Sequence, residues 1–155
     1  MLFFVFDSKV CRVCGNLCVK NATLIHLHDK KVVELESGCG LVRGIAALLR
    51  EHVLLTDFPD RLKLLKKNVQ KNLYANVQVS ATVIELTCGD HPHPKLMNPS
   101  PDYVLGPDVI YSEEVVIHLI ETFVELCESQ TMIILAGEFR NDVILEYFLE
   151  PAMKV

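Results

Sequence analysis

The sequence predicts an α/β domain in which a doubly wound, mostly parallel sheet lies between two layers of helices. Three observations support this fold class. Short apolar runs, which are typical of strands buried in a parallel sheet, alternate with amphipathic helical patterns along most of the chain. A turn containing Gly38 and Gly40 joins the first of these runs directly to a helical pattern. The next apolar run ends in an acidic residue, Asp57. Strand–helix alternation of this kind favours right-handed crossovers within one parallel sheet.

The strands are predicted from runs of apolar and β-branched residues. Val53–Thr56 and Thr131–Ala136 are apolar at nearly every position, as expected for strands covered on both faces. In chain order the predicted strands are Val32–Leu35, Val53–Thr56, Asn76–Val83, Asp102–Leu105 and Thr131–Ala136.

The helices are predicted from apolar residues at helical spacing. Leu41, Ile45 and Leu48 share one face, and Pro59 suits a first helical turn, where its missing N–H costs nothing. Segment 88–101 is rich in proline and is predicted to be a loop. In chain order the predicted helices are Leu41–Leu49, Pro59–Leu73, Glu113–Cys127 and Asn141–Leu149.

Length and composition predict a single domain over residues 1–155. Half of the residues are apolar, yet no apolar run approaches the roughly 18 residues of a membrane span. Residues 1–6 are apolar but too few, and without a basic flank, to form a signal peptide. A net charge of −5 without a dominant basic patch argues against a nucleic-acid partner. We therefore expect a cytoplasmic monomer that binds neither membranes nor nucleic acid.

The six cysteines are expected to be reduced thiols, because no secretory signal precedes them. Cys11, Cys14 and Cys18 have a metal-like spacing, but a fourth ligand at a suitable distance is missing, although His26 and His28 could be recruited. The simpler interpretation is a small apolar helical face, since cysteine behaves as a small hydrophobe. We expect no metal.

The predicted strand ends converge on one crevice. In an open parallel sheet, ligands bind at the carboxyl ends of the strands, where the winding direction reverses. The turn at 36–40, Asp57, the loop near Cys88 and segment 106–108 all follow predicted strands. Asp57 lies 19 positions after Gly38, close to the roughly 20 expected for a carboxylate that binds ribose hydroxyls. The sequence therefore predicts a nucleoside-containing cofactor.

The sequence of the turn does not by itself determine which cofactor is bound. Gly38 and Gly40, with Gly44, are compatible with a dinucleotide fingerprint or with a tight turn and nothing more. Glu34 favours another ligand, because a carboxylate before the turn would repel a pyrophosphate and attract the sulfonium or ammonium group of S-adenosylmethionine. A nicotinamide-dependent oxidoreductase remains the alternative from this pattern.

Several segments also resemble a known family. Residues 33–42 (VELESGCGLV) resemble motif I of seven-β-strand methyltransferases. Residues 55–57, 86–90 and 105–111 are similar to later landmarks of the protein-lysine methyltransferases of that class, most closely the plant-type members. Phe6-Asp7-Ser8 resembles the family's Trp-Asp-Ser segment, which lies over the cofactor. The resemblance implies a Rossmann-like three-layer α/β/α fold and methyl transfer from S-adenosylmethionine to a lysine of a protein substrate.

The resemblance also implies residue roles. Glu36, Ser37 and Gly38 occupy glycine-loop positions that contact the methionine part of the cofactor, Asp57 would bind the ribose, and Cys88 would lie next to the adenine. The complete predicted cofactor set is Phe6, Glu34, Glu36, Ser37, Gly38, Gly40, Asp57, Cys88 and Pro107.

The lysine side of the site is implied in the same way. Asp108 and Tyr111 match the family's Asp-x-x-Tyr motif, which shapes the lysine entrance, and they are the predicted catalytic residues. Milder interpretations are that Asp108 caps the following helix and that Tyr111 is a half-buried core aromatic. Either Asp108 or Glu113 could assist deprotonation of the lysine amine.

Three positions depart from the family pattern. Glu36 replaces a glycine, and Phe6 and Cys88 each replace a tryptophan. A left-handed backbone at Glu36 would cost on the order of 1 kcal/mol, and loss of a flat aromatic contact about 1–3 kcal/mol. The family also continues into two more strands, without which Thr131–Ala136 would be a bare, aggregation-prone edge. The alternative hypothesis is therefore a catalytically impaired or inactive relic of the methyltransferase fold.

Overall fold

The computed structural model describes residues 2–6, 29–38, 53–73, 81–137 and 142–152. These residues form six strands and four helices. The strands are β1 Leu2–Phe6, β2 Val32–Glu34, β3 Val53–Asp57, β4 Ala81–Glu85, β5 Tyr103–Pro107 and β6 Met132–Gly137. The helices are α1 Leu62–Leu73, α2 Pro94–Met97, α3 Glu113–Leu126 and α4 Asp142–Ala152.

The six strands form one sheet in the order β1-β6-β5-β2-β3-β4, and every neighbouring pair is parallel. From β2 the chain first winds outward through β3 to β4, and it then returns to the other side of β2 for β5 and β6. The winding direction therefore reverses between β2 and β5, which is the switch point of a doubly wound sheet. The predicted α/β fold class is confirmed.

The two sheet faces are covered by different helices. One buried cluster joins α3 and α4, through Leu119, Phe123 and Phe148, to Val33 and Val104 of the sheet. On the other side of the switch point α1 packs against β3 and β4. Its Leu65 and Val69 are buried while its lysines are exposed, as the amphipathic pattern predicts. Every residue of β3 is buried, including the polar Thr56 and Asp57, as expected for a strand that is covered on both faces.

Most predicted elements are confirmed with shifted ends. Strands β3, β5 and β6 end one or two residues later than predicted, and α3 matches to within one residue. The predicted loop 88–101 contains the short helix α2, and the predicted third strand is shifted toward β4. The predicted helix Leu41–Leu49 and residues 76–80 of the third predicted strand lie outside the described residues. Within the described part of the chain no helix is long and apolar enough to cross a membrane.

The expectation of a bare edge at the fifth predicted strand is wrong. β1 pairs in parallel with β6 along its whole length, from Leu2 opposite Ile133 to Phe6 opposite Gly137. The expectation rests on the two further strands that the family has after Thr131–Ala136, and it leaves out the apolar residues at the start of the chain. Their β-branched and aromatic side chains suit a strand, and β1 supplies the missing hydrogen-bonding partner.

Candidate functional site

The turn after β2 is fixed to both neighbouring strands by backbone hydrogen bonds. Leu35 N donates to Leu105 O at 2.8 Å on the β5 side. On the β3 side Ser37 N donates to Thr56 O, also at 2.8 Å. The turn therefore continues the sheet for a few residues, and its position at the switch point is set by β3 and β5 rather than by the turn alone.

Asp57 is the side chain that anchors this turn. Gly38 N donates to Asp57 Oδ2 at 2.7 Å, and Phe58 N donates to Oδ1 at 2.9 Å. The carboxylate is completely buried. Each oxygen has already accepted one backbone N–H, and an ionised carboxylate can accept about four hydrogen bonds in all. The predicted residues Gly38 and Asp57 are thus brought into direct contact, as the strand-end argument requires.

Glu36 adopts the conformation that its glycine-like position suggests. Its φ is 48°, in the left-handed region that a residue with a Cβ rarely occupies. Tyr111 donates its hydroxyl to Glu36 Oε2 over a long 3.5 Å, whereas the buried Oε1 has no hydrogen-bond partner among the described residues. Burial, and then the negative charge of Asp57, raise the pKa of Glu36, while Arg61 acts in the opposite direction.

Glu36 also lies close to Cys88. Cys88 is 9% exposed and belongs to the buried core, and burial raises the pKa of its thiol to about 12, with the Glu36 carboxylate as the second cause. Tyr111 is 40% exposed, and its pKa is raised first by burial and then by Glu36. The Glu36 side chain therefore lies among the predicted ribose, adenine and lysine-entrance residues: Asp57, Cys88 and Tyr111.

A second group of predicted residues lies at the ends of β5 and β6. Pro107 is paired with Ala136, and Asp108 N donates to Ala136 O at 2.5 Å. Asp108 has a φ of 58°, which aspartate tolerates better than most residues. It does not cap α3, because Ser112 is the N-cap and its Oγ accepts from Val115 N at 3.4 Å. The capping interpretation of Asp108 is therefore wrong.

The other predicted residues are placed less directly. Glu34 is completely buried within β2, in register with Leu55 and Leu105. Ser37 is also buried, and its hydroxyl donates to Glu34 O at 3.4 Å. The backbone of Phe6 lies at the carboxyl end of β1, next to β6. Gly40 lies outside the described residues.

Arg61 is a site residue that the sequence pattern does not reveal. Its guanidinium carbon lies 5.0 Å from the centre of the Phe58 ring, in a cation–π arrangement. Its positive charge opposes the rise in the pKa of Glu36, and this effect relates Arg61 to the predicted site. Arg61 follows Asp57 by four positions, but the same position also suits an ordinary exposed arginine next to α1.

The charge of the crevice limits what it can bind. Glu34, Glu36 and Asp57 place three carboxyl groups around one turn, with Arg61 as the cation that influences Glu36. Such a site attracts a cationic group and repels a pyrophosphate. Within the described ranges no three His, Cys, Asp or Glu side chains are grouped as a metal site. Cys11, Cys14 and Cys18, with His26 and His28, lie outside those ranges.

Comparison with known families decides the class of the protein. A family model described as lysine methyltransferase matches residues 13–152, which is most of the chain. The chain belongs to the lysine methyltransferase family. The predicted resemblance to the protein-lysine methyltransferases is thereby confirmed.

Curated members of the lysine methyltransferase family are similar over most of this chain. Protein N-lysine methyltransferase METTL21A of Mus musculus is 40% identical over 121 residues, which are 76% of this chain and 54% of the mouse protein. EEF1A lysine methyltransferase 3 of Xenopus tropicalis is 32% identical over 134 residues, which are 81% of this chain and 58% of that protein. The chain thus spans about half the length of the curated relatives it matches.

Solved structures support the same fold for this lysine methyltransferase family member. The ribosomal protein L11 methylase of Lactobacillus delbrueckii subsp. bulgaricus superimposes with a TM-score of 0.62 at 15% identity, covering 96% of this chain and 69% of the other. A TehB-like SAM-dependent methyltransferase from Corynebacterium glutamicum gives 0.57 at 14% identity, covering 88% of this chain and 71% of the other. At these identities the similarity concerns the fold.

Proposed function

We propose that this chain transfers a methyl group from S-adenosylmethionine to the side-chain amine of a lysine in a protein substrate. Membership in the lysine methyltransferase family and the names of its relatives support this assignment. The observation that carries it is the direct contact of residues predicted from separate strand ends. Gly38 N meets Asp57 Oδ2 at 2.7 Å, and Tyr111 reaches Glu36 at 3.5 Å.

The acidic crevice fits the cofactor. When bound, S-adenosylmethionine supplies a methyl group activated by an adjacent sulfonium, so that the lysine amine needs no protein nucleophile. Glu36, Ser37 and Gly38 would hold its methionine part, and Asp57 would accept from its ribose hydroxyls with the lone pairs that Gly38 N and Phe58 N leave unused. The remaining cofactor residues in the proposal are Phe6, Glu34, Gly40, Cys88 and Pro107.

Asp108 and Tyr111 position the substrate lysine in the proposal. Both follow β5, on the side of the switch point away from Asp57. Tyr111 is 40% exposed, so a side chain entering from solvent can contact its ring. Catalysis then rests on orientation and on removal of water from the neutral amine. Asp108 or Glu113 accepts, directly or through water, the proton that the lysine ammonium loses before the neutral amine attacks the methyl group.

A second candidate function, a non-catalytic relic of the family fold, is favoured by Glu36. Its backbone is strained at a φ of 48°, and its side chain lies among the residues assigned to the ribose, the adenine and the lysine. A carboxylate in that position competes with the cofactor for space. Under this hypothesis the chain retains a surface that binds partner proteins but has no useful affinity for S-adenosylmethionine.

Calorimetric titration of S-adenosylmethionine into the wild-type chain and Glu36→Gly separates the two candidates. Binding by both proteins, with methyl transfer from radiolabelled cofactor to protein in a cell extract, supports the enzyme. Binding by Glu36→Gly alone supports the relic. The matched control is Glu128→Gly, an exposed glutamate outside the crevice, which should not alter the affinity. Tight binding of NADH without any response to S-adenosylmethionine would overturn both candidates.

The proposal includes the setting in which the protein acts. We propose a single domain that works in the cytoplasm as a monomer, and whose macromolecular partner is its protein substrate rather than nucleic acid or a membrane. Pairing of β1 with β6 supports one domain, because it joins the start of the chain to residues 132–137 in one sheet. The net charge of −5 supports the exclusion of nucleic acid.

A further inference from the structure

An open groove lies between α3 and α4, and none of the predicted site residues lines it. Its volume is about 390 Å³, near the lower end of the range for small-molecule clefts. The lining is mainly apolar, with two acidic side chains. The lining residues are Val116, Ile117, Ile120, Glu121, Tyr147, Glu150 and Pro151.

Exposed apolar side chains are concentrated on the same two helices. Ile117 is 47% exposed and Tyr147 44% exposed, and both line the groove. Val124 on α3 and Val143 on α4 are exposed by 58% and 62%. In the described part of the chain the other large exposed apolar residues are Leu64 and Tyr111. Exposed apolar side chains that are grouped in this way indicate a surface that binds a partner, whereas single scattered ones do not.

The charge of these helices selects the partner. α3 and α4 contain neither lysine nor arginine, and their only basic side chain is His118. His118 Nδ1 lies 3.2 Å from Glu121 Oε2, while Glu150 is on the opposite wall of the groove. Their acidic residues are Glu113, Glu114, Glu121, Glu125, Asp142, Glu146 and Glu150. Among the described helices, α1 carries four lysines and no acidic residue, so the negative charge is concentrated on α3 and α4.

We propose that the α3–α4 groove binds an amphipathic helix of a partner protein that presents lysine or arginine beside an apolar stripe. A groove between two packed helices accepts the apolar side chains of a third helix at i, i+3, i+4 and i+7. Glutamates on both walls then attract its flanking cations and repel acidic segments. The groove shares no lining residue with the predicted cofactor site, so the proposal does not rest on the proposed methyl transfer.

Fluorescence anisotropy with a labelled leucine–lysine amphipathic peptide tests the proposal. A peptide of the same composition in scrambled order tests for amphipathic shape, and a leucine–glutamate peptide tests for charge. We expect the amphipathic basic peptide to bind the wild-type chain and both other peptides to bind at least about tenfold more weakly. Ile117→Ser, and Glu121→Lys combined with Glu150→Lys, should each weaken binding about fivefold or more.

Matched variants show whether the groove is responsible. Leu64→Ser removes a side chain that is 51% exposed on α1, and Glu128→Lys reverses a charge outside the groove; both should bind the peptide as the wild type does. Circular dichroism verifies that each variant is folded. Equal binding of the scrambled peptide, no wild-type binding, or unchanged binding by Ile117→Ser would overturn the proposal. A wild-type dimer in sedimentation that Ile117→Ser converts to monomer would also overturn it, since a second copy would then occupy the groove.

Discussion

Replacing Glu36 by glycine should make the protein more stable, although the change removes a side chain from a partly buried site. The backbone at Glu36 has a φ of 48°, and holding an L-residue there costs about 1–2 kcal/mol. Glycine removes this strain but gives up roughly 0.5–1 kcal/mol through the greater freedom of the unfolded chain. The substitution also removes a carboxylate whose pKa is raised by burial, so the charged form is disfavoured in the folded state.

The net gain expected for Glu36→Gly is about 1 kcal/mol in the free energy of unfolding, or roughly 2–4 °C in melting temperature for a chain of this size. Urea denaturation monitored by circular dichroism measures this gain in stability. Glu36→Ala is the matched control, because alanine also removes the carboxylate but keeps a Cβ in the left-handed region. The glycine variant should therefore have a free energy of unfolding about 0.5–1 kcal/mol higher than that of the alanine variant. An alanine variant as stable as the glycine variant would refute the strain argument.

Three further predictions concern stability. Gly106→Ala should cost about 1–3 kcal/mol in unfolding free energy, because a Cβ there would lie 2.6 and 2.8 Å from buried side chains of β6 and the loop after β5, and urea denaturation measures the loss. Lys31→Met should lower the free energy of unfolding by about 1 kcal/mol, since Lys31 Nζ donates to two carbonyl oxygens of α2 at 2.7 and 2.9 Å. Thermal denaturation measures this loss, and Lys66→Met on the exposed side of α1 should leave stability unchanged. The raised pKa of Glu36 means that the folded state binds the proton more tightly, so stability should fall as pH rises above the ordinary value of 4.5, and Glu36→Gln should flatten that slope in denaturation measured across pH.

Local sequence patterns predict the part of the site that backbone geometry determines. The glycine turn and Asp57 follow consecutive strands, and parallel pairing places consecutive strand ends together, so the bond from Gly38 to Asp57 follows from topology. The left-handed backbone at Glu36 is predictable from the family resemblance, because the family has a glycine at this position.

Side-chain contacts across the switch point could not be predicted in this way. Glu36 and Tyr111 are separated by 75 residues and meet only because β5 returns to lie beside β2. Arg61 has the pattern of an ordinary surface residue, and only its charge effect on Glu36 relates it to the crevice. The sequence pattern does not predict β1, because a short apolar segment has no periodicity of its own and its pairing with β6 depends on the tertiary structure.

A crystal structure of the chain with S-adenosylhomocysteine tests the central claim most directly. The account predicts the nucleoside at the switch point between β2 and β5, with its ribose at Asp57, its amino-acid part along residues 36–38, and the Glu36 side chain moved away from Tyr111. The ligand bound at any other surface, or a structure in which Gly38 and Asp57 are not in contact, would contradict it.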